Sequence, residues 1–275
     1  MNEEEVKSLL LELQSGQKSW AEVAEHRYVF SMMEHIGSID VELRDDLIYQ
    51  AFWRLIHNRH LSNELMIDML NTALSDIYLF DEIGGNGVDS VFKRSYTALL
   101  IALLLNQDLQ HPFLTEEMIG KVKDKLVTYL DLEEDIRGYV TDKGWAHSVV
   151  NTAYAVDELV KNPKLKVADY DEIFQSLVNK IFTSKAVYLS SEDERVIMPI
   201  LTMLENGLSI DIAKGFFERI PPFLAKQKEK ASTKKFVILQ ANCKMFLKSF
   251  YYIASTDEKY AFIERKIERC LTEIS

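Results

Sequence analysis

The chain has 275 residues, 47% of them hydrophobic and 27% charged, and its 43 acidic against 32 basic side chains leave a formal net charge of -11. Such a chain can bury a substantial core without disulfide staples, and its acidic balance opposes a phosphate backbone, which sets nucleic acid aside as a partner. Cys243 and Cys270 lie far apart, so they fit buried thiols of a reducing compartment better than a metal finger or a disulfide scaffold.

Glu3, Glu4 and Glu5 stand where a secretory leader would carry basic residues, and the longest apolar run, Ala98 to Leu105, is far short of the roughly 20 residues that span a bilayer. The expected location is the cytoplasm, without a membrane partner. With only 10 glycines and 5 prolines, and with apolar residues recurring every three or four positions, the chain is expected to be all-α.

In chain order, a first helix is predicted over 3–14. A Ser19-x-x-Glu22 capping box opens the next, over 20–36. Asp40 precedes 41–57 and Ser62 precedes 63–79. The turn Gly84-Gly-Asn-Gly87, followed by Asp89 as the expected N-cap, leads into 89–106, which is apolar on nearly every side after Tyr96 and therefore expected to be surrounded by other helices. That turn could offer amides to an anion, but no phosphate-loop lysine follows it, and a flexible turn is the simpler expectation.

Thr115 caps 116–132, and a helix is predicted over 144–161. Beyond Pro163–Asp169 come 170–184, then 191–206 opened by Ser190 with Asp193, 210–219 after Ser209, 233–254, and 257–273 after Thr256. Lys226, Lys228, Lys230, Lys234 and Lys235 form a basic run without interleaved aromatics, expected to be a solvated connection. Short connections fold successive helices back as hairpins, so the predicted architecture is a HEAT-like α/α superhelix forming one elongated domain over 1–275. A closed α/α arrangement or an irregular bundle stays open, because no strict repeat aligns.

The segment Glu133 to His147 concentrates acids, Arg137, Lys143, Trp145 and His147 between two helices. This mixture suits a ligand cleft, and equally a loop pinned to the core by ion pairs. His147, Asn151 and Tyr154 fall at i, i+4 and i+7 on one helix face, but Asn and Tyr are poor zinc ligands and no metal is expected there. His147 could serve as a general base if Asp135 or Glu192 oriented it, although a packed histidine is the simpler role. His26, His35, His57, His60 and His111 form no ligand spacing, and no dinucleotide, serine-hydrolase or zinc-protease motif occurs, so no cofactor is expected. Asp193 and Arg195 open a later helix, where the acids complement its dipole, and they could also pair with Arg137 and Asp135.

Asp135-Ile-Arg-Gly-Tyr-Val-Thr-Asp-Lys-Gly-Trp-Ala-His-Ser148, together with Val91-Phe-Lys-Arg-Ser-Tyr96, Ser191-Glu-Asp-Glu-Arg195 and Phe246-Leu-Lys-Ser-Phe-Tyr251, resembles the bacterial family called domain of unknown function 2785. The resemblance implies a helical-repeat-like bacterial protein with no established activity, of a kind commonly met in Gram-positive bacteria. It marks Arg94, Asp135, Arg137, Lys143, Trp145, His147 and Arg195 as family-like positions without assigned roles. Where the family typically has histidine and aspartate, this chain has Asn151 and Tyr154, which weakens a metal or acid-base role. The expected function is a non-enzymatic scaffold for a protein or peptide. The alternative is an enzyme or small-molecule binder centred on Asp135, Arg137, Trp145 and His147.

Overall fold

A computed structural model describes residues 1–274. About 70% of the chain is helical, in twelve α-helices among the described residues, with one two-stranded antiparallel pair. The chain divides into two compact units, Met1–Leu165 and Lys166–Ser275, and the boundary falls inside the Pro163–Asp169 connection.

The first unit holds α1 (Glu3–Gln14), α2 (His26–Glu34), α3 (Gln50–His57), α4 (Asn63–Ala73), α5 (Ser90–Gln110), α6 (Glu116–Leu132) and α7 (Ser148–Lys161). Its spine is α5, where Val91, Phe92, Ile101, Leu104 and Leu105 are wholly buried. Helices α3, α4 and α7 pack on it, as its apolar circumference requires. Gly37, after α2, lets the backbone approach α5 closely: a Cβ there would stand 2.5 Å from the Cα of Lys93.

Several helix limits differ from the sequence expectation. The predicted 20–36 helix is a 3-10 turn at Trp20–Val23, capped by Ser19 and Glu22, followed by α2. Within 41–57 the first half, Glu42–Tyr49, winds with the wider π-type bonding before α3 continues it. The 63–79 helix stops at Ala73, where the Ser75 hydroxyl donates to the Thr72 carbonyl at 2.6 Å and competes with the helical ladder.

Helix α7 starts at Ser148 instead of 144. Residues before it form β1 (Tyr139–Val140) and β2 (Gly144–Trp145), paired as Tyr139 with Trp145 and Val140 with Gly144. Asp142, Gly144 and His147 have φ of 63°, 75° and 50°, left-handed values that no right-handed helix accommodates.

The second unit holds α8 (Tyr170–Ile181), α9 (Glu192–Glu205), α10 (Ile210–Lys230), α11 (Thr233–Ala254) and α12 (Ala261–Glu273). Helix α10 runs eleven residues past its expected end at 219 and carries Pro221 and Pro222 inside it. Each proline removes an intrahelical donor, and burial of Phe216, Phe217, Ile220 and Leu224 on both sides of the pair offsets the loss. Ser190 does not cap α9: its amide donates to the Glu192 carboxylate, and Ser191 is the N-cap at φ 59°. Thr256 likewise turns back to the Ile253 carbonyl, and Asp257 caps the short 3-10 turn that leads into α12. Phe174, Phe182, Phe216, Phe217, Phe246 and Phe250 make an edge-to-face cluster at this unit's centre. Cys243 and Cys270 are buried free thiols, both pushed up to about 12, chiefly by burial.

Candidate functional site

The polar segment after α6 begins with Glu133, which meets a fully buried Arg94 from α5. Arg94 grips it with a two-pronged fork, Nε to Oε2 at 2.7 Å and Nη2 to Oε1 at 2.9 Å. The Tyr129 hydroxyl and the Asp135 amide add bonds of 2.7 and 2.9 Å to the same carboxylate. Arg94 spends its remaining nitrogen on the Asp81 carbonyl and the Ser90 hydroxyl. Burial, reinforced by Glu133, raises the Tyr129 phenol well above its ordinary value. Every strong donor and acceptor of this group is engaged inside the protein, which makes it a brace between α5 and α6.

Asp135 forms a second buried carboxylate site. It accepts from the Arg137 Nε and Nη2, the latter at 2.6 Å, from the Arg137 amide, and from the Gly87 amide at 2.9 Å. The glycine turn before α5 thus presents its amide to an anion, and the anion is the protein's own. Burial pushes the Asp135 carboxyl up, but the Arg137 guanidinium and the two amides outweigh it and hold it below the usual carboxylate range. Arg137 also donates to the Val88 carbonyl at 2.7 Å, so it ties the segment to the entrance of α5. The Ser148 hydroxyl closes the loop on the Asp135 carbonyl.

The β1–β2 hairpin rests on Arg44, a fully buried side chain that the sequence did not single out. Its guanidinium donates to the carbonyls of Ser38 at 2.7 Å and Lys143 at 2.8 Å, pairs with Asp45, and lies 4.4 Å from the Phe92 ring centre. Gly144 passes directly over it. Lys143 itself reaches out to Asp89, which occupies the expected N-cap position of α5 but gives its carboxylate to this ion pair and makes no capping bond. Trp145 is 40% exposed and stacks on the half-buried His147 at 4.4 Å, with Tyr139 edge-on to Trp145 at 5.1 Å. Asp135 is committed to Arg137 and Gly87, and Glu192, the other carboxylate expected to orient His147, accepts from the Ser190 amide at 2.7 Å.

Asn151 turns inward and donates to the Ser95 hydroxyl on α5 at 2.8 Å. In the second unit, Asp193 is buried and accepts from Ser249 on α11 at 2.7 Å, while Arg195 is exposed on α9. A further buried carboxylate, Asp108 near the end of α5, collects the amides of Phe113 and Leu114 together with Asn162 and Lys164. Among the described residues no group of three or more His, Cys, Asp or Glu could hold a metal ion. No described helix is long and apolar enough to cross a membrane.

A more accessible surface lies between α7 and the junction of the Glu42–Tyr49 segment with α3, with α5 as its floor, a groove of about 440 Å³. Tyr49 and Trp53 form one wall, Asn151, Tyr154 and Glu158 the other, and Leu99, Ala102 and Leu103 the base. Trp53 and Tyr154 are 42% and 39% exposed, and Trp53 stacks on His57 at 4.9 Å. Burial, with Tyr154 facing it, raises the Tyr49 phenol above its ordinary value. Asn106 crosses the groove to Glu158 at 2.9 Å. Tyr49, Trp53 and His57 repeat every fourth residue, a spacing visible in the sequence; the facing wall, a hundred residues later, was not.

A family model described as a protein of unknown function, DUF2785, matches residues 79–252. No curated protein and no solved structure matches the chain.

Proposed function

The chain belongs to the family described as protein of unknown function (DUF2785), and on that premise we propose that it is a non-enzymatic helical scaffold that binds an extended peptide segment in the groove of α3, α5 and α7. The observation that carries this reading is the pair of exposed rings, Trp53 and Tyr154, lining one groove over an apolar floor. Aromatic rings bring large contact area at low entropic cost. A net charge of -11 favours a segment carrying Lys or Arg. The proposal includes one domain built as a HEAT-like stack of antiparallel hairpins, supported by the packing of consecutive helices, α4 on α5, α6 on α7, α8 on α9, α10 on α11 and α11 on α12. It also includes a cytoplasmic setting, supported by the two free thiols.

The alternative, chemistry or ligand binding around Asp135, Arg137, Trp145 and His147, has less support. Asp135 is fully buried, and both its oxygens are taken by Arg137 and Gly87. The test is selection of random displayed peptides on the full chain, followed by measurement of the enriched sequences on a Trp53→Ala variant with unchanged melting temperature. Enriched basic peptides that lose about tenfold or more in affinity on the variant support the reading, since an interfacial aromatic anchor commonly costs that much. Enriched peptides that bind the variant equally well, or an absence of enrichment, overturn it.

A further inference from the structure

We propose that the second unit carries a separate binding site for a small apolar carboxylate, an aromatic or short acyl acid, in the pocket between α8 and α10. The pocket encloses about 230 Å³. A cavity of about 150 Å³ holds a benzene ring, so this one has room for a ring and a short chain.

Its walls are aromatic and held in place. Phe182 meets Phe216 edge-on at 5.7 Å and Phe223 at 5.2 Å, and Phe216 is braced in turn by Phe174 at 5.3 Å. These contacts fix the rings before any ligand arrives, and such preorganisation lowers the cost of binding.

The polar groups of the pocket supply charge of one sign. Among the described residues Arg219 is the only ionisable one lining it, together with Asn179 and with Gln175, whose amide donates to Asp171 at 3.3 Å. Its Nε donates to the Gly215 carbonyl at 3.0 Å, which anchors the guanidinium and leaves the outer nitrogens, a planar fork matched to a carboxylate. Along α10, Arg219, Phe223, Lys226 and Lys230 follow one another at helical spacing on one face. The basic run that reads in the sequence as a solvated connection therefore gives this face a positive local field in a protein of net charge -11. An apolar body with an anionic end satisfies both parts of the site. A neutral apolar molecule uses only the walls, and a small polar anion only Arg219.

Calorimetric titration of the full chain with 3-phenylpropionate, and with 3-phenylpropan-1-ol as its uncharged match, tests the site. The acid is expected to bind saturably and about tenfold more tightly than the alcohol, a modest value for a partly hydrated charge-assisted pair. Arg219→Gln, at an exposed position and expected to leave the melting temperature unchanged, is expected to remove that difference and leave alcohol binding as it was. Phe223→Ala is expected to weaken both ligands. The proposal fails if acid and alcohol bind alike, if Arg219→Gln leaves acid binding intact, or if neither ligand binds saturably.

Discussion

Arg94 and Arg137 serve two carboxylates only two residues apart, Glu133 and Asp135, but in different surroundings. The Arg94–Glu133 pair is almost wholly dry, with side chains 0% and 2% exposed, whereas Arg137 is 29% exposed over a fully buried Asp135. Removing one partner of a dry pair strands a charge, so Arg94→Ala is expected to cost about 3–5 kcal/mol. Arg137→Ala should cost less, about 2–3 kcal/mol, because water can reach part of the vacated site and two amides still hold Asp135. Urea unfolding with unchanged slope measures both, and an Arg137→Ala variant as stable as the wild type would end its role as a clamp.

Asp135 also predicts a pH dependence. Its carboxyl lies below the ordinary 3.8 in the folded protein, so its ionisation stabilises the fold above that value, and the contribution is lost as pH falls through the lower folded value. Asp135→Asn is therefore expected to be destabilised at pH 7, with the gap to wild type narrowing below about pH 4. Unfolding curves at pH 7, 5 and 3.5 would show it, and a gap constant over that range would contradict it.

At the scale of elements, two glycines decide how segments approach. At Gly37 an added Cβ would meet backbone, the Lys93 Cα at 2.5 Å, so α5 or the turn after α2 must move. At Gly144 the φ of 75° is strained for any L side chain, and the added carbon would stand 3.0 Å from the Arg44 Nη2. Gly144→Ala is expected to cost about 1–2 kcal/mol for the left-handed backbone, and Gly37→Ala about 3 kcal/mol for overpacking against a chain that cannot yield. Thermal melts of the two variants should rank them in that order. Equal melting temperatures would mean that the turn after α2 gives way freely.

For the whole molecule, the single-domain proposal makes its own demand. The three tryptophans, Trp20, Trp53 and Trp145, all lie in the first unit, so their fluorescence follows that core, while far-ultraviolet dichroism follows helices of both. One cooperative domain is expected to give coincident urea transitions by the two probes, and separated midpoints would overturn it. Chelation is a second test at this scale. EDTA is expected to leave the melting temperature unchanged, since no described cluster of His, Cys, Asp or Glu could hold a metal; a fall that zinc restores would contradict this.

Helical periodicity with few glycines and prolines determined the all-α class and placed α1, α6 and α11 to the residue, because repeated apolar spacing acts within a few residues of chain. The same local chemistry marked Glu133 to His147 as unusual and Asp135 and Arg137 as residues to follow, while Arg94 was marked only by the family resemblance. It could not say that Gly87 would face Asp135, that Arg44 would lie under Lys143, or that Tyr49 and Trp53 would wall a groove with Tyr154. Those pairings join segments 48 to about 105 residues apart. Only packing around α5 brings them together, and only burial decides that a string of charges becomes a closed set of ion pairs and not an open cleft. The hairpin before α7 belongs with them, since its left-handed residues are held by Arg44 from 99 positions earlier, where local propensity favoured continuing the helix.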